Sequence, residues 1–479
     1  MPGMWTTLLV ITHYVLAAFI VVRVLTRNRI EPSVRLAWIM VVEALPFVGI
    51  VAYLLFGEVR IAQADRQRAA DIRSHLSGVM TPSPHRIETP PDWMAGIAAT
   101  AESVGGMPPV DGNRLRLLPE GDDAFDEMIR AIETARTHVH VLFYIWLNDV
   151  SGGRIGKALC KAAQRGVDCR VMVDDLGSRR FWRSSLWTEM EDAGVVLVRA
   201  MPTGYFPLRM LSRRLDLRNH RKIVLIDNRL GFTGSRNAAD MAFAVKPRYA
   251  PWIDVWFAVE GPVLRQMQTV FLADWMSYTG VDLGSEMLAA VPPAEGGNVV
   301  AQVVSTGPDL RAGSVSDCII ALLAAARKQV IITTPYYVPD PATDAAIQAC
   351  ARRGIAVTMI LPARNDSLFV GATSQGFYLG LLRAGVRLMA FKPGLLHAKL
   401  ITVDGRIAML GSGNLDRRSF ELNYEMNMIV ADGAAIAAID ARQQSYLDRA
   451  REITLDEVAA WPSWRRIRNN TLALATPLL

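Results

Sequence analysis

Lysine, histidine and cysteine are all scarce in this chain of 479 residues, with seven, seven and four of each. The four cysteines, Cys160, Cys169, Cys318 and Cys350, lie in apolar helix-like or strand-like contexts without metal-ligand spacing. That excludes a disulfide scaffold or a zinc cluster and reads as reduced core thiols. There is no HExxH, no Cys/His cluster and no paired DxD, so no metal and no cofactor is expected. No basic residue precedes the first apolar run, which argues against a cleaved signal peptide. The formal charge is +6, carried mostly by arginine, a balance suited to an anionic membrane surface or to nucleic acid.

Against that scarcity, two histidines and two lysines recur in one pattern. H-x-K-x-x-x-x-D occurs at His220, Lys222, Asp227 and again at His397, Lys399, Asp404. The match continues through HRKIVLIDNRLGFTGSRN and HAKLITVDGRIAMLGSGN, at a constant offset of 177 residues. Each copy is an apolar run, an Asp-Asn-Arg or Asp-Gly-Arg turn, a second apolar run and Gly-Ser-x-Asn. This is the signature of a β-hairpin. His and Lys two positions apart on a strand project from one face.

The halves match upstream as well. Residues 128–146 parallel 319–337 as helix then strand, 161–175 parallel 348–362 as helix, Gly, strand, and 192–198 parallel 383–389. Alternating helix and strand predict an α/β layer structure with a mixed sheet in each half. Two similar halves packed about a pseudo-twofold axis bring both motifs to one shared site.

Long apolar runs are confined to the N-terminus. Residues 4–22 and 36–56 are apolar apart from His13 and Glu43, each about long enough to cross a bilayer. They predict an N-terminal transmembrane hairpin (1–60) and an integral, multi-pass membrane protein. A shallow re-entrant hairpin is the alternative, because Glu43 and Pro46 weaken the second run. Trp5, Tyr14, Trp38 and Tyr53 are candidate interfacial anchors. Four arginines follow each run (Arg23, Arg27, Arg29, Arg35; Arg60, Arg66, Arg68, Arg73), a tie under the positive-inside rule. The unpaired thiols favour a cytoplasmic catalytic region. The expected order is then a linker (61–110), a first α/β domain (111–280), a Pro-Gly linker (281–298) and a second domain (299–479).

Two His-Lys pairs suit the chemistry of a phosphodiester. Lys222 and Lys399 can neutralise phosphoryl oxygens, and Asn237 and Asn414 can donate hydrogen bonds to them. One imidazole attacks phosphorus and forms a phosphohistidine; the other protonates the leaving alkoxide and then deprotonates the incoming hydroxyl. Each ring needs an acceptor for its second nitrogen. Asp254 in WIDVW and Glu425 in LNYE are the candidates. Asp227 and Asp404 complete the catalytic pattern, or close the hairpin turns as structural residues.

These motifs resemble the phospholipase D superfamily, whose signature is the HxKxxxxD pair, over nearly the whole chain. YLLFGE, TPYYVPD (334–340), GSGNLDRRSFELNYE (411–425) and the terminal PLL resemble the bacterial cardiolipin synthases. The resemblance implies two phospholipase D-like α/β domains sharing one active site, with Ser235 and Ser412 supporting it. It implies transfer of a phosphatidyl group from one phosphatidylglycerol to another, giving cardiolipin and glycerol, in a bacterial inner membrane. Which histidine is the nucleophile does not follow from the sequence; His220 is favoured over His397. Gln375 departs from the pattern, standing where a basic residue is expected, and the first copy lacks a DRRSF.

The first half has an insertion before its His, YFPLRMLSRRLDLRN (205–219). It mixes Phe206, Leu208, Met210, Leu211 and Leu215 with Arg209, Arg213, Arg214 and Arg218. One reading is a rim on the bilayer with these arginines on lipid phosphates; the other is a solvated surface helix. Rival activities are a phospholipase D hydrolysing lipids to phosphatidic acid, phosphatidylserine synthesis and a membrane-anchored nuclease. A nuclease has little use for two membrane segments, so nucleic acid is not expected as a partner. A non-catalytic scaffold is disfavoured by intact His and Lys in both copies.

Overall fold

The computed structural model describes residues 2–27, 31–58, 61–80, 83–203, 214, 216–288, 291–311 and 313–474. In the first half three parallel strands, His138–Phe143, Asp168–Asp174 and Val196–Ala200, lie side by side. The first of them pairs antiparallel with Ile223–Ile226, which turns into Leu230–Gly234 and then Trp256–Glu260. The second half repeats this order. Gln329–Thr333, Ala356–Pro362 and Arg387–Phe391 are parallel, followed by the hairpin Leu400–Val403/Ile407–Gly411 and by Asn423–Ala431. At the seam Val110–Leu117 pairs with Val299–Thr306, joining both halves into one 16-stranded sheet.

Local chemistry explains these elements. Every residue of His138–Phe143 is buried, as expected where helices cover both faces of parallel strands. The helix Val150–Gln164 between the first two strands is capped by Asp149, which accepts from Gly152 N at 3.0 Å. Both motif hairpins turn with positive φ, at Asp227 and Asn228 and at Asp404 and Gly405, the type I′ chemistry their sequences predict. One buried cluster belongs to each half, and a third is shared. The shared cluster includes Leu142 and Ile223 from the first half and Ile331 and Leu400 from the second. At about 1.5–3 kcal/mol per buried large side chain, this common layer binds the halves into one unit.

The stretch 61–110 is more than a linker. It holds helix α4 (Gln63–Val79), packed on the helix Val263–Thr279. It also holds the helix Asp92–Gly105, whose Met94, Ile97 and Ala101 enter the core of the second half.

The N-terminal region departs from a pair of spans. Helix α1 (Pro2–Thr26) is long and apolar enough to cross a membrane. The second apolar run is broken into α2 (Pro32–Ala44) and α3 (Val48–Phe56). Pro46 cannot continue a helix, and Phe47 takes a positive φ of 57°. The helices then fold back closely, and a Cβ on Gly49 would lie 2.2 Å from the Val41 carbonyl oxygen. The backbone N–H of Phe47, exposed by the break, is donated to His13 Nδ1 on α1 at 3.4 Å. Trp38 and Tyr53 are not interfacial anchors, since their rings pack edge to face between α2 and α3. Trp5 and Tyr14 are exposed on α1.

Candidate active site

The strand faces deliver both His-Lys pairs inward. His220, Lys222, His397 and Lys399 are all buried. Each lysine Nζ bonds the carbonyl oxygen of its own histidine at 2.6 Å. The two pairs act on one another: Lys399 lowers the pKa of His220, and Lys222 lowers those of His397 and Lys399. The motifs therefore share one electrostatic environment, in the arrangement expected of two related halves.

The orienting carboxylates are exchanged between halves. His220 Nδ1 bonds Glu425 at 2.9 and 3.0 Å, and His397 Nδ1 bonds Asp254 at 2.7 Å. The backbone crosses in the same sense. His220 N donates to the Tyr424 carbonyl and His397 N to that of Ile253, at the ends of short parallel pairings between halves. Ser235 Oγ donates to Asp254 and Ser412 Oγ to Glu425. The serines therefore act on the carboxylates, each half's serine holding the acceptor for the other half's histidine. Glu425 receives two further bonds, from Ser419 at 2.9 Å and Asn423 at 3.2 Å.

Asn237 Oδ1 accepts from Ile145 N at 3.2 Å, which leaves its amide nitrogen as the donor end. Asn414 Oδ1 is buried and has no hydrogen-bond partner among the described residues. Tyr144 packs on His220 and Trp252 on His397, with centroids 4.8 Å apart in each case. Sequence reasoning missed these two rings and the Ser419 and Asn423 donors. Ser419 lay within the DRRSF stretch that sets the second half apart.

Burial sets the charge states. It lowers His220 to about 4, with the Lys222 charge acting in the same direction and Glu425 opposing. His397 is lowered for the same leading reason. Glu425 and Asp254 stay ionised, both drawn down to about 2 by their histidines, with lysine charge assisting, despite burial. Lys222 falls to about 8 and Lys399 to about 7, burial again leading. Neutral imidazoles beside ionised carboxylates, with lysines poised near neutrality, suit nucleophilic and acid–base work on an anion. Among the described residues, no group of three His, Cys, Asp or Glu is placed to hold a metal ion.

Two catalytic assignments are corrected by this geometry. Asp227 and Asp404 stand at the hairpin turns, five residues past their motif lysines and so about 16 Å along the strand from them at ~3.3 Å per residue. Asp227 accepts from the backbone N–H groups of Arg136, Thr137 and His138. Asp404 accepts from those of Arg327, Lys328 and Gln329. They staple each hairpin to the start of its neighbouring strand.

The family models agree with the two-half site. The model described as "Cardiolipin synthase, PLD-like domain" matches residues 128–275 and 319–446, and "Phospholipase_D-nuclease N-terminal" matches 14–58. Cardiolipin synthase A of Edwardsiella ictaluri is 36% identical, covering 98% of this chain and 97% of that protein. Its counterpart in Klebsiella pneumoniae strain 342 is 34% identical, covering 98% of each. The chain belongs to the phospholipase D-like cardiolipin synthase family. Phosphatidylserine synthase of Haemophilus influenzae Rd KW20 shares the fold, with a TM-score of 0.59 at 14% identity, covering 80% of this chain and all of that one. Membership of the cardiolipin synthase family brings phospholipid substrates and membrane association.

In this cardiolipin synthase family member the proposed lipid-facing arginines are placed differently where they are described. Arg218 is buried and bonds Asp174 at 3.3 Å, while Arg214 is buried against Asp216 at 2.6 Å. Neither stands on a bilayer-facing rim: Asp174, at the end of a neighbouring strand, holds Arg218 inward, and Asp216, two residues along the chain, holds Arg214. Phe206, Leu208, Arg209, Met210, Leu211, Arg213 and Leu215 lie outside the described residues. Gln375, which replaces an expected basic residue, accepts from Arg465 at 3.1 Å and Asn469 at 3.2 Å on the helix Ser463–Leu474. A basic group is thus supplied to that place from elsewhere in the chain.

Proposed function

We propose that this chain is a cardiolipin synthase that transfers a phosphatidyl group between two phosphatidylglycerol molecules. The observation that carries this reading is the pair of reciprocally held histidines beside two buried lysines. His220 Nε2 attacks phosphorus while Glu425 holds its Nδ1–H, and the bond from phosphorus to the glycerol oxygen breaks. His397, charged through Asp254 and the arriving phosphodiester, protonates that oxygen and glycerol leaves. A hydroxyl of the second phosphatidylglycerol then gives its proton to His397 and attacks the phosphohistidine, which releases His220. Lys222, Lys399 and the Asn237 amide hold the phosphoryl oxygens. One phosphodiester replaces another, so neither nucleotide nor metal enters the balance.

The N-terminal segment sets where this happens. At 1.5 Å per residue α1 is about 37 Å long, α2 about 20 Å and α3 about 13 Å, against a hydrocarbon core of about 30 Å. Arg23, at the end of α1, bonds Glu58 after α3 at 2.7 Å, and Arg27 reaches Glu58 at 2.7 Å. Glu31, before α2, bonds Arg417 beside the active site at 2.6 Å. These contacts support one span by α1 and a re-entrant hairpin of α2 and α3 that begins and ends on the catalytic side. The described arginines of both groups then lie on the same side, which supports a cytoplasmic catalytic side under the positive-inside rule.

Product analysis tests the activity. Purified protein with phosphatidylglycerol vesicles, a chelator and no nucleotide should yield cardiolipin and glycerol in equal amounts. Phosphatidic acid as the main product would mean hydrolysis. Turnover only with a cytidine nucleotide lipid and serine would mean phosphatidylserine synthesis.

A further inference from the structure

The last described helix, Ser463–Leu474, has two sides of different character. One side packs along the helix Leu368–Arg383, where Asn469 is buried and bonds Gln375 at 3.2 Å. The other carries Trp464, Ile467 and Leu474, which are 63%, 65% and 75% exposed. Spacings of three and seven residues put these side chains on one face. Leu368, 87% exposed at the start of the neighbouring helix, borders the same surface hollow of about 570 Å³ as Arg465, Arg468 and Leu472. Large apolar side chains grouped in water and rimmed by polar ones mark a contact surface.

Charge selects the partner. The helix has no acidic residue, and Arg465, Arg466 and Arg468 alternate with its apolar positions. Among the described residues none of these three is ion-paired. Their side-chain bonds run to neutral oxygens, those of Gln375, Ser463 and Asn469. Of the two carboxylates in the preceding helix Leu455–Ala459, Glu457 is taken by Arg451 at 2.7 and 3.0 Å, which leaves Asp456 against three guanidiniums. Arg465 registers the excess: its pKa is lowered, by burial first and by the Arg468 charge next, with Glu457 opposing. The basic and apolar groups adjoin, with the Arg468 guanidinium 5.4 Å from the centre of the Trp464 ring. A second copy of the chain fits this face poorly, since self-pairing would bring like charges together. A bilayer containing anionic lipid fits both parts. The family's membrane association and the apolar α1 keep such a surface within reach.

We infer that the helix Ser463–Leu474 is an interfacial anchor that docks the second half onto an anionic bilayer surface. It lies along the membrane plane, about 18 Å of helix at 1.5 Å per residue. Trp464, Ile467 and Leu474 enter the boundary between headgroups and acyl chains, with Leu368 beside them, and Arg466 and Arg468 meet lipid phosphates. Membrane contact is then made near both ends of the chain, which holds the catalytic region against the bilayer instead of leaving it to swing from α1. The inference rests on membrane association and not on the identity of the acceptor. Its test reads contact and not turnover, so it can fail without the proposed activity failing.

Ile467→Cys and, as a second position, Trp464→Cys carry an environment-sensitive fluorophore in the full chain, reconstituted into phosphatidylcholine vesicles with and without phosphatidic acid. The native cysteines are buried or half-buried, and the wild type treated in the same way gives the background. With phosphatidic acid present, emission should shift to the blue and be quenched by lipids that bear a nitroxide near the headgroup. Arg466→Glu with Arg468→Glu, both exposed positions, should lower the ratio of docked to undocked helix at least tenfold, because each basic residue near an anionic surface is worth about fivefold. A thermal melt checks that this variant is folded. Vesicles of phosphatidylcholine alone should give a comparable loss, which keeps the test decisive if the double variant fails to fold. Absence of quenching at both positions, or quenching indifferent to lipid charge and to the folded variant, would overturn the inference. So would energy transfer between probes on separate chains in place of quenching, the mark of a self-interface.

Discussion

Asp227→Ala removes a side chain that three backbone N–H groups and the Thr137 hydroxyl depend on, yet nothing at the reacting centre. We expect about 1–2 kcal/mol of lost stability, since the freed donors are part-exposed and water replaces some bonds, with turnover per folded molecule retained. A thermal melt beside an active-fraction titration separates the two. The folded Asp227 pKa is lowered by its hydrogen bonds despite burial. Its stabilising contribution is therefore present above the unfolded value near 3.9 and fades as pH falls. Glu425→Gln behaves in the opposite way: its shape is nearly kept, but the acceptor for His220 Nδ1–H is compromised. We expect kcat to drop about 10²–10⁴-fold, the scale of acid–base catalysis, with little change in melting temperature. The lysines set the alkaline limb. Lys399 and Lys222 carry charge only below about 7 and about 8. Raising pH through that window removes the cations that hold the phosphodiester, so kcat/KM should decline across it. A flat profile to pH 9 would contradict their role.

At the level of elements, the hairpins and the crossover helices were legible because their signals are local. Asp-Asn and Asp-Gly force positive φ at the turns, and buried parallel strands read as continuous apolar runs. The second membrane segment was harder to read. Hydropathy counts residues and is blind to direction, whereas Pro46 and Gly49 decide that the chain turns back between α2 and α3. His13 makes the reversal feasible. It lies 13 residues before Thr26, about 20 Å up α1, level with the far end of α2, and it accepts the orphan N–H of Phe47. The re-entrant path makes a labelling prediction. Ser33→Cys and Ala62→Cys should react with an impermeant maleimide from the same side of the membrane, that of the catalytic region. Labelling from opposite sides would restore a second full span.

At the level of the whole molecule, the halves are interlocked beyond their shared sheet and core. Each histidine is held by the other half's carboxylate, and Arg417 ties the active-site loop to Glu31 between the membrane helices. A complete site thus forms within one chain. Mixing inactive His220→Ala and His397→Ala proteins should restore no activity, because neither chain contributes an intact pair of histidines to one cleft. Recovery of turnover in the mixture would show that sites assemble between chains.

The amino-acid sequence alone determined the duplicated His-Lys hairpins, the alternation of helix and strand, and an apolar N-terminus. All of these are short-range patterns, carried by residue type and spacing. Tertiary structure decided which carboxylate serves which histidine, since the partners are 205 and 143 residues apart and no spacing rule reaches so far. It also separated the motif aspartates from the chemistry, because five residues of strand carry them to the other end of the hairpin. The insertion arginines show the same division. Their composition suggested a lipid-facing rim, but Arg218 and Arg214 follow the nearest carboxylates, Asp174 and Asp216, and are buried. Charge in a sequence says that a partner is needed, and only the folded chain says where that partner lies.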